Sequence, residues 1–280
     1  MYRIKYDIKS DDKVSLIIYA PKEPKVLEKA IEVVEGATYK NTEIIVATDD
    51  NLPNKLSSLV SSLEESGKIK VYRKKDATYP TLINGAAEVA DGKYLLFLDG
   101  GVVPLAKNFI EELLMYAQRD DVAFTAGALY YSSNAIRHAG YILGHGENRT
   151  IARMFYGINN SSIGYMGRLW YSQNLSAVSL EMTMVKKETF FKIGALSEDY
   201  RLIYYDADVC LKAKEAGWLT VWTPYSNGYT YTAGLAKSKS NFKMATTDAK
   251  LFKERWQKTL DAGDPYYNSN FSIESADFTV

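Results

Sequence analysis

The sequence predicts an α/β protein with a mixed, mostly parallel central sheet flanked by helices. Three observations predict it. Strand-like apolar runs alternate with helix-like segments through the first half, with short connections between them. The central run 94–98 (Tyr-Leu-Leu-Phe-Leu) has no polar alternation, as a strand covered on both faces requires. That run ends at Asp99, followed by Gly100 and Gly101, at the carboxyl edge where open α/β sheets bind ligands.

Element by element, residues 14–20 form an apolar first strand, and 24–35 have helical spacing at Val26, Leu27, Ala30, Ile31 and Val34. Strands at 43–48 and 68–73 bracket a helix at 52–65, and helices at 81–90 and 106–118 bracket the strand ending at Asp99. The second half breaks this rhythm. Strands are predicted at 122–131, 136–143 and 175–186, with a Gly-, Asn- and Ser-rich functional loop at 144–173. A helix at 205–216 stops at Gly217, a strand at 219–222 ends before Pro224, and Phe242, Ala245, Ala249, Phe252, Trp256 and Leu260 mark a last amphipathic helix.

Composition narrows the function. Lys+Arg and Asp+Glu are both 34, which argues against nucleic acid or an anionic membrane as main partner. One cysteine, Cys210, excludes an internal disulfide and a cysteine-rich metal site. The opening residues lack a signal-peptide core and no run is long enough to span a membrane, so the expectation is a cytoplasmic protein, or one at the inner face of the membrane. Because the chain begins almost directly on a strand, it reads either as a whole protein or as one module of a longer polypeptide. The 22 tyrosines point weakly to carbohydrate, since tyrosine packs on sugar rings, but half-buried surface uses them equally well.

Three acid clusters follow predicted strands or loops: Asp49-Asp50, Asp99, and Asp206-Ala-Asp208. Singly, each reads as a helix cap or turn former. Their order resembles that of the family 2 inverting glycosyltransferases of the GT-A fold, in the branch that builds bacterial surface polysaccharides such as rhamnans, capsules and O-antigens. The resemblance runs through Ala37-Thr-Tyr-Lys-Asn-Thr-Glu-Ile-Ile-Val46, Asn84 with Gly92, Ile136-Arg-His-Ala-Gly140, Asn174-Leu-Ser-Ala-Val-Ser179, Tyr205-Asp-Ala-Asp-Val-Cys-Leu-Lys212, Thr223-Pro-Tyr225 and Asp264-Pro-Tyr-Tyr-Asn-Ser-Asn270. It implies a domain over 1–240, with a nucleotide-binding half at about 12–104 and an acceptor half at about 105–240, and a C-terminal helix and tail at 241–280 packed on it.

The resemblance also implies a site. Asp206 is the general base, against the plainer reading of a helix cap. Ala20, Asp49, Asn84 and Asp99 contact a nucleotide-sugar donor; Trp170, Tyr171 and Asp208 contact a glycan or lipid-linked glycan acceptor, with core packing an equal explanation for the two aromatics. Other polysaccharide-assembly proteins are further implied partners, and Mn²⁺ or Mg²⁺ at Asp99 the implied cofactor.

Four positions depart from that pattern. Tyr19 stands for a proline, Thr48 for the first acid of a "DDGS" run, and Gly101 for the last acid of the DxD motif; the histidine after Pro224 gives way to Thr230 or Tyr231. Glycine offers a divalent ion no side-chain ligand, so Asp99 alone holds one weakly or not at all. Lys237 and Lys239 are then candidates to meet diphosphate charge, although solvation explains them more simply. His138 reads as structural, His145 as a loop residue able to face substrate, and Cys210 as core. Two functions follow as expectations: an inverting glycosyltransferase that is metal-independent or nearly so, or a degenerate domain that binds glycan or scaffolds a polysaccharide synthase.

Overall fold

The structure, a computed structural model, describes residues 3–21, 23–49, 51–146, 148–231 and 238–280. Strands β1 (Val14–Tyr19), β2 (Thr42–Thr48), β3 (Lys70–Arg73) and β4 (Tyr94–Asp99) are parallel, joined by helices α1 (Pro24–Glu35), α2 (Asn54–Glu65) and α3 (Tyr79–Glu88). After β4 come β5 (Val102–Pro104), α4 (Phe109–Ala117), β6 (Val122–Tyr131), β7 (Ile136–His138), β8 (Tyr141–Leu143), β9 (Ile151–Arg153), β10 (Gln173–Leu175) and β11 (Met182–Lys186). The chain closes with α5 (Lys187–Lys192), α6 (Tyr205–Glu215), β12 (Leu219–Thr230) and α7 (Lys239–Asp261).

The main sheet runs β10-β12-β6-β11-β4-β1-β2-β3, with β5 and β7 added on β12 and β6; β8 and β9 form a separate hairpin. Strand alternation divides the core. Leu16, Ile18, Leu96 and Leu98 face a layer built on Leu27, Leu56, Phe109 and Leu113 from α1, α2 and α4. Ile17, Leu95 and Phe97 face the opposite layer, with Leu82, Val209, Phe252 and Trp256 from α3, α6 and α7. Helix starts follow local chemistry: Pro24 opens α1, the Thr78 hydroxyl accepts from the Thr81 N–H at α3, and the Ser238 hydroxyl accepts from the Asn241 N–H at α7.

The departures from the sequence expectation are local. The run 136–143 splits into β7 and β8 because Gly140 takes φ +109°, a conformation that turns the chain out of the ladder. The run 175–186 splits into β10 and β11, which lie three places apart in the sheet. Residues 219–222 belong to a longer strand, β12, which passes Pro224 at a bulge between Thr223 and Asn227, where a missing N–H breaks no ladder bond. The loop 144–173 contains β9 and a 3₁₀ turn, Tyr165–Gly167. β5 and α5 are too short to leave a periodic signal.

Among the described residues no helix is long and apolar enough to cross a membrane. Phe252 is fully buried against Tyr204, with ring centroids 4.8 Å apart. Phe252→Ala should therefore lower unfolding free energy by about 3–5 kcal/mol, measured by urea denaturation, whereas truncation of the exposed Phe242 should change it little.

Candidate active site

Three strand ends and one helix start build the candidate site. β1 pairs with β2 and β4 in a register that sets Tyr19 beside Ala47 and Asp99. A side chain at position 100 would collide with the Tyr19 carbonyl and Pro21, so Gly100 lets the ends of β1 and β4 close on each other. Asp99 is half-buried, and its Oδ1 accepts from the Gly101 N–H at 2.8 Å. Its own N–H donates to the Glu181 carbonyl at 2.9 Å, bringing the segment before β11 alongside. Asp49, at the end of β2, accepts from the Asn51 N–H at 3.1 Å and lines a crevice of about 70 Å³ with Thr48, Ser57, Ser61 and Arg73.

α6 reaches these strand ends through Tyr205, and the residue that caps it, Tyr204, is a non-glycine at φ +71°. Asp206 lies in the first helical turn, half-buried. One carboxylate oxygen accepts from the Ala207 N–H at 2.8 Å and the other from the Tyr141 hydroxyl at 2.9 Å. Burial pushes the Asp206 carboxyl up to about 6; the Tyr141 and Ala207 hydrogen bonds and the charge of Arg153 restrain the rise, and Glu181 adds to it. Arg153 is placed by the β8–β9 hairpin, in which it pairs directly with Tyr141.

Three tyrosines bridge the two sides. Tyr19 and Tyr79 have ring centroids 5.0 Å apart, and Tyr79 stacks on Tyr205 at 4.7 Å with 21° between planes. Burial raises the Tyr19 hydroxyl above its ordinary pKa, helped by Asp49 and Asp99. Burial raises Tyr79 further, in the field of Asp99, Glu181 and Asp206. Both hydroxyls therefore stay protonated and available as donors. Glu181 is itself answered by Arg137, whose Nε and Nη2 donate to it at 3.1 and 2.5 Å, while Nη1 donates to the Tyr131 hydroxyl at 3.1 Å. Burial opposes the Arg137 charge, but Glu181 and Tyr131 more than compensate and hold it firmly protonated.

The side chains at Asp99 do not fit a divalent ion. Gly101 supplies no ligand, both Glu181 oxygens are engaged by Arg137, and among the described residues no three His, Cys, Asp or Glu side chains gather to hold a metal.

Other sequence expectations sort as follows. Asp208 does not face an acceptor. It is fully buried, accepting from Arg255 Nη1 at 3.0 Å, Trp256 Nε1 at 2.9 Å and the Tyr200 hydroxyl at 3.2 Å, with Lys212 Nζ at 3.1 Å. Asn84 is likewise committed to structure: its amide donates to the Leu196 carbonyl and accepts from the Leu196 N–H, tying α3 to the loop after α5. Ala20 is at the cleft edge, with its N–H on the Ala47 carbonyl. Trp170 is 52% exposed, which removes core packing as its explanation, and Tyr171 is half-buried beside it. His145 is buried against Tyr267, at 4.4 Å between centroids, and cannot face substrate. His138 is structural, its Nε2 accepting from the Ser179 N–H at 3.0 Å, and burial holds it neutral. Cys210 is core. Asp50 and Lys237 lie outside the described residues, and Lys239 is exposed at the start of α7. Tyr79, Tyr141, Arg153, Glu181 and Tyr205 carry no role in the sequence pattern, although Tyr205 opens the Tyr205–Lys212 motif and Tyr141 directly follows Gly140.

A mixed, mostly parallel sheet with Asp49 and Asp99 at its carboxyl edge and Asp206 at a nearby helix start puts the candidate site where open α/β folds bind ligands. The model of glycosyl transferase family 2 matches residues 15–193, and the chain belongs to that family. It is 29% identical to the uncharacterized protein y4gI of Sinorhizobium fredii (strain NBRC 101917 / NGR234), over 100% of this chain and 31% of that protein. It is 22% identical to the O-antigen biosynthesis protein RfbC of Myxococcus xanthus, over 99% of this chain and 22% of that protein. The chain thus spans less than a third of these relatives. The fold is GT-A: GalNAc-T7, solved with UDP, GalNAc and Mn²⁺, superposes with a TM-score of 0.70 at 14% identity, covering 91% of this chain and 50% of that one. The mannosyltransferase PcManGT of Pyrobaculum calidifontis, with GDP-Man and Mn²⁺, gives 0.59 at 12% identity over 92% and 67%.

The Asp206 environment has a pH signature. A carboxyl raised from 3.8 to about 6 destabilises the fold progressively as pH rises from about 4 to 6. Asp206→Asn removes that penalty. The variant should melt above the wild type at pH 7–8, by a margin on the order of 1–3 kcal/mol, and the difference should shrink below about pH 4, as followed by differential scanning fluorimetry.

Proposed function

We propose that this chain transfers a sugar from a nucleotide-sugar donor to a growing surface glycan, with inversion at the anomeric carbon. The observation that carries this reading is Asp206: a half-buried carboxylate at a helix start, tied to the strand end at Tyr19 through the Tyr205–Tyr79–Tyr19 stack, its carboxyl pushed up to about 6 by burial. A base with a pKa near the working pH accepts a proton efficiently. The acceptor hydroxyl gives its proton to Asp206 as its oxygen attacks the anomeric carbon. The bond from that carbon to the diphosphate oxygen breaks, and the nucleoside diphosphate leaves with the electron pair. Asp49, Ala20 and Asp99 are the donor contacts in this reading, and Trp170 and Tyr171, just before β10, contact the acceptor away from its reacting end. RfbC, an O-antigen biosynthesis protein, supports a polysaccharide as acceptor.

Because the Asp99 environment does not suit a divalent ion, departing charge falls to hydrogen-bond donors. Tyr19 and Tyr79, kept protonated by burial, are the candidates near Asp99. The same three-ring stack supports a second reading, a degenerate domain kept for glycan binding or scaffolding, since rings occupy space at the donor edge.

A panel of UDP-, GDP- and dTDP-sugars, assayed for transfer and for thermal shift with Mn²⁺ or EDTA, separates the two. The transferase reading expects one donor to shift and turn over, a change of only a few-fold with EDTA, and a loss of at least about 100-fold in kcat for Asp206→Asn. Its kcat/KM should fall on the acid side with an inflection near 6. A flat response from folded protein establishes the degenerate reading.

A further inference from the structure

The edge of the sheet opposite β3 carries a second concavity. β10 is four places from β4 in strand order, about 19 Å at the usual strand spacing. Beside it lies a groove of about 650 Å³ whose lining includes Tyr165, Arg168, Tyr171, Gln173, Tyr266 and Phe278. Neither Asp99 nor Asp206 contributes to it.

Its chemistry is uneven. The walls are aromatic: Tyr165 stacks on Phe278 at 5.4 Å with 5° between planes, and the Arg168 guanidinium lies 4.6 Å above the same Phe278 ring. Arg168 is the single charged side chain of the lining. Its Nη2 makes one long hydrogen bond, to the Tyr266 carbonyl at 3.5 Å, and its Nε has no partner. Among the described residues no carboxylate is within ion-pairing distance of it. Asp264, the acid whose field it feels, is already engaged by the Leu143 and Tyr266 N–H groups and the Ser176 hydroxyl. The neighbouring Gln173 donates through Nε2 to the Arg168 carbonyl at 2.8 Å, while its Oε1 is also unpartnered.

A half-buried guanidinium without a counter-ion calls for an anion, and a planar carboxylate matches its fork. Tyrosine and phenylalanine rings suit the C–H faces of pyranoses. One ligand class supplies both. We propose that this groove binds an acidic, uronate-bearing glycan, with Arg168 on the carboxylate and the Tyr165, Tyr171 and Phe278 rings along the sugar faces. It is a secondary site that holds the chain away from the reacting end. The identity of the glycan as the acceptor rests on the transferase reading above; its binding does not.

The test is isothermal titration of the whole chain with an oligogalacturonate, a maltooligosaccharide of equal length, and inorganic phosphate. The oligogalacturonate should bind at least about tenfold more tightly than the neutral oligomer, Arg168→Ala should erase that preference, and Arg168→Lys should keep part of it. Arg168→Gln, which keeps a long side chain over the Phe278 ring without the charge, should erase the preference as well and serves if Arg168→Ala does not fold. Equal binding of acidic and neutral oligomers, an unaffected Arg168→Ala, no saccharide binding, or phosphate binding as tight as oligogalacturonate each overturns the proposal. Asp206→Asn should bind oligogalacturonate like the wild type, so loss of transfer with binding intact condemns neither site for the other's failure.

Discussion

Two buried carboxylates, one on each of two helices, hold the second half of the molecule together. Asp208 on α6 is fully buried and accepts from Arg255 and Trp256 of α7. Asp248 on α7 is 1% exposed and accepts from the backbone N–H groups of Arg201, Leu202 and Ile203, just before α6. Each helix thus supplies the acid that the other side satisfies. Buried carboxylates are tolerable only when so paired, and removing the partners would strand a charge at several kcal/mol. The consequence is positional: Asp206 sits two residues from Asp208, so the clamp that fixes one fixes the other. Tyr204 can keep its left-handed backbone because its ring stacks on Phe252 and its hydroxyl reaches Thr150 at 2.9 Å.

With that helix fixed, the cleft becomes a problem of charge balance. Asp99, Glu181 and Asp206 share a volume crossed by the Tyr79 and Tyr205 rings. Arg137 neutralises Glu181, and Arg153 moderates Asp206 from the hairpin. What remains is one carboxylate at the strand end and another whose pKa lies between an ordinary aspartate and neutrality. Protonated tyrosine hydroxyls lie between them.

Much of this was legible in the sequence, for reasons that differ by region. The run ending at Asp99 is buried on both faces, so its pattern admitted one reading, and α1 and β6 fell at the bounds their periodicity gives. Asp208 shows the opposite case. Its spacing from Asp206 resembles an acceptor motif, but its surroundings come from α7, some forty-seven residues on, and a local pattern carries no trace of them. Asn84 is similar, since its partner Leu196 is 112 residues away. The Tyr19–Tyr79–Tyr205 stack joins three elements, and no single window of sequence contains it.

The division between the legible and the hidden follows the construction of the fold. The family model ends at residue 193, and Asp206, Asp208, Asp248 and Arg255 all lie beyond it. The segment that carries the strand-end acids is defined by β-ladder register, which local apolar alternation encodes directly. The segment that carries Asp206 is defined by side-chain hydrogen bonds between α6 and α7, which can be satisfied by many residue pairs provided each buried acid finds donors. Positions in that region are therefore set by long-range pairing rather than by local periodicity. A carboxylate whose position depends on a distant helix can be retuned through that helix without disturbing the sheet edge, because the two parts of the cleft are held by different forces.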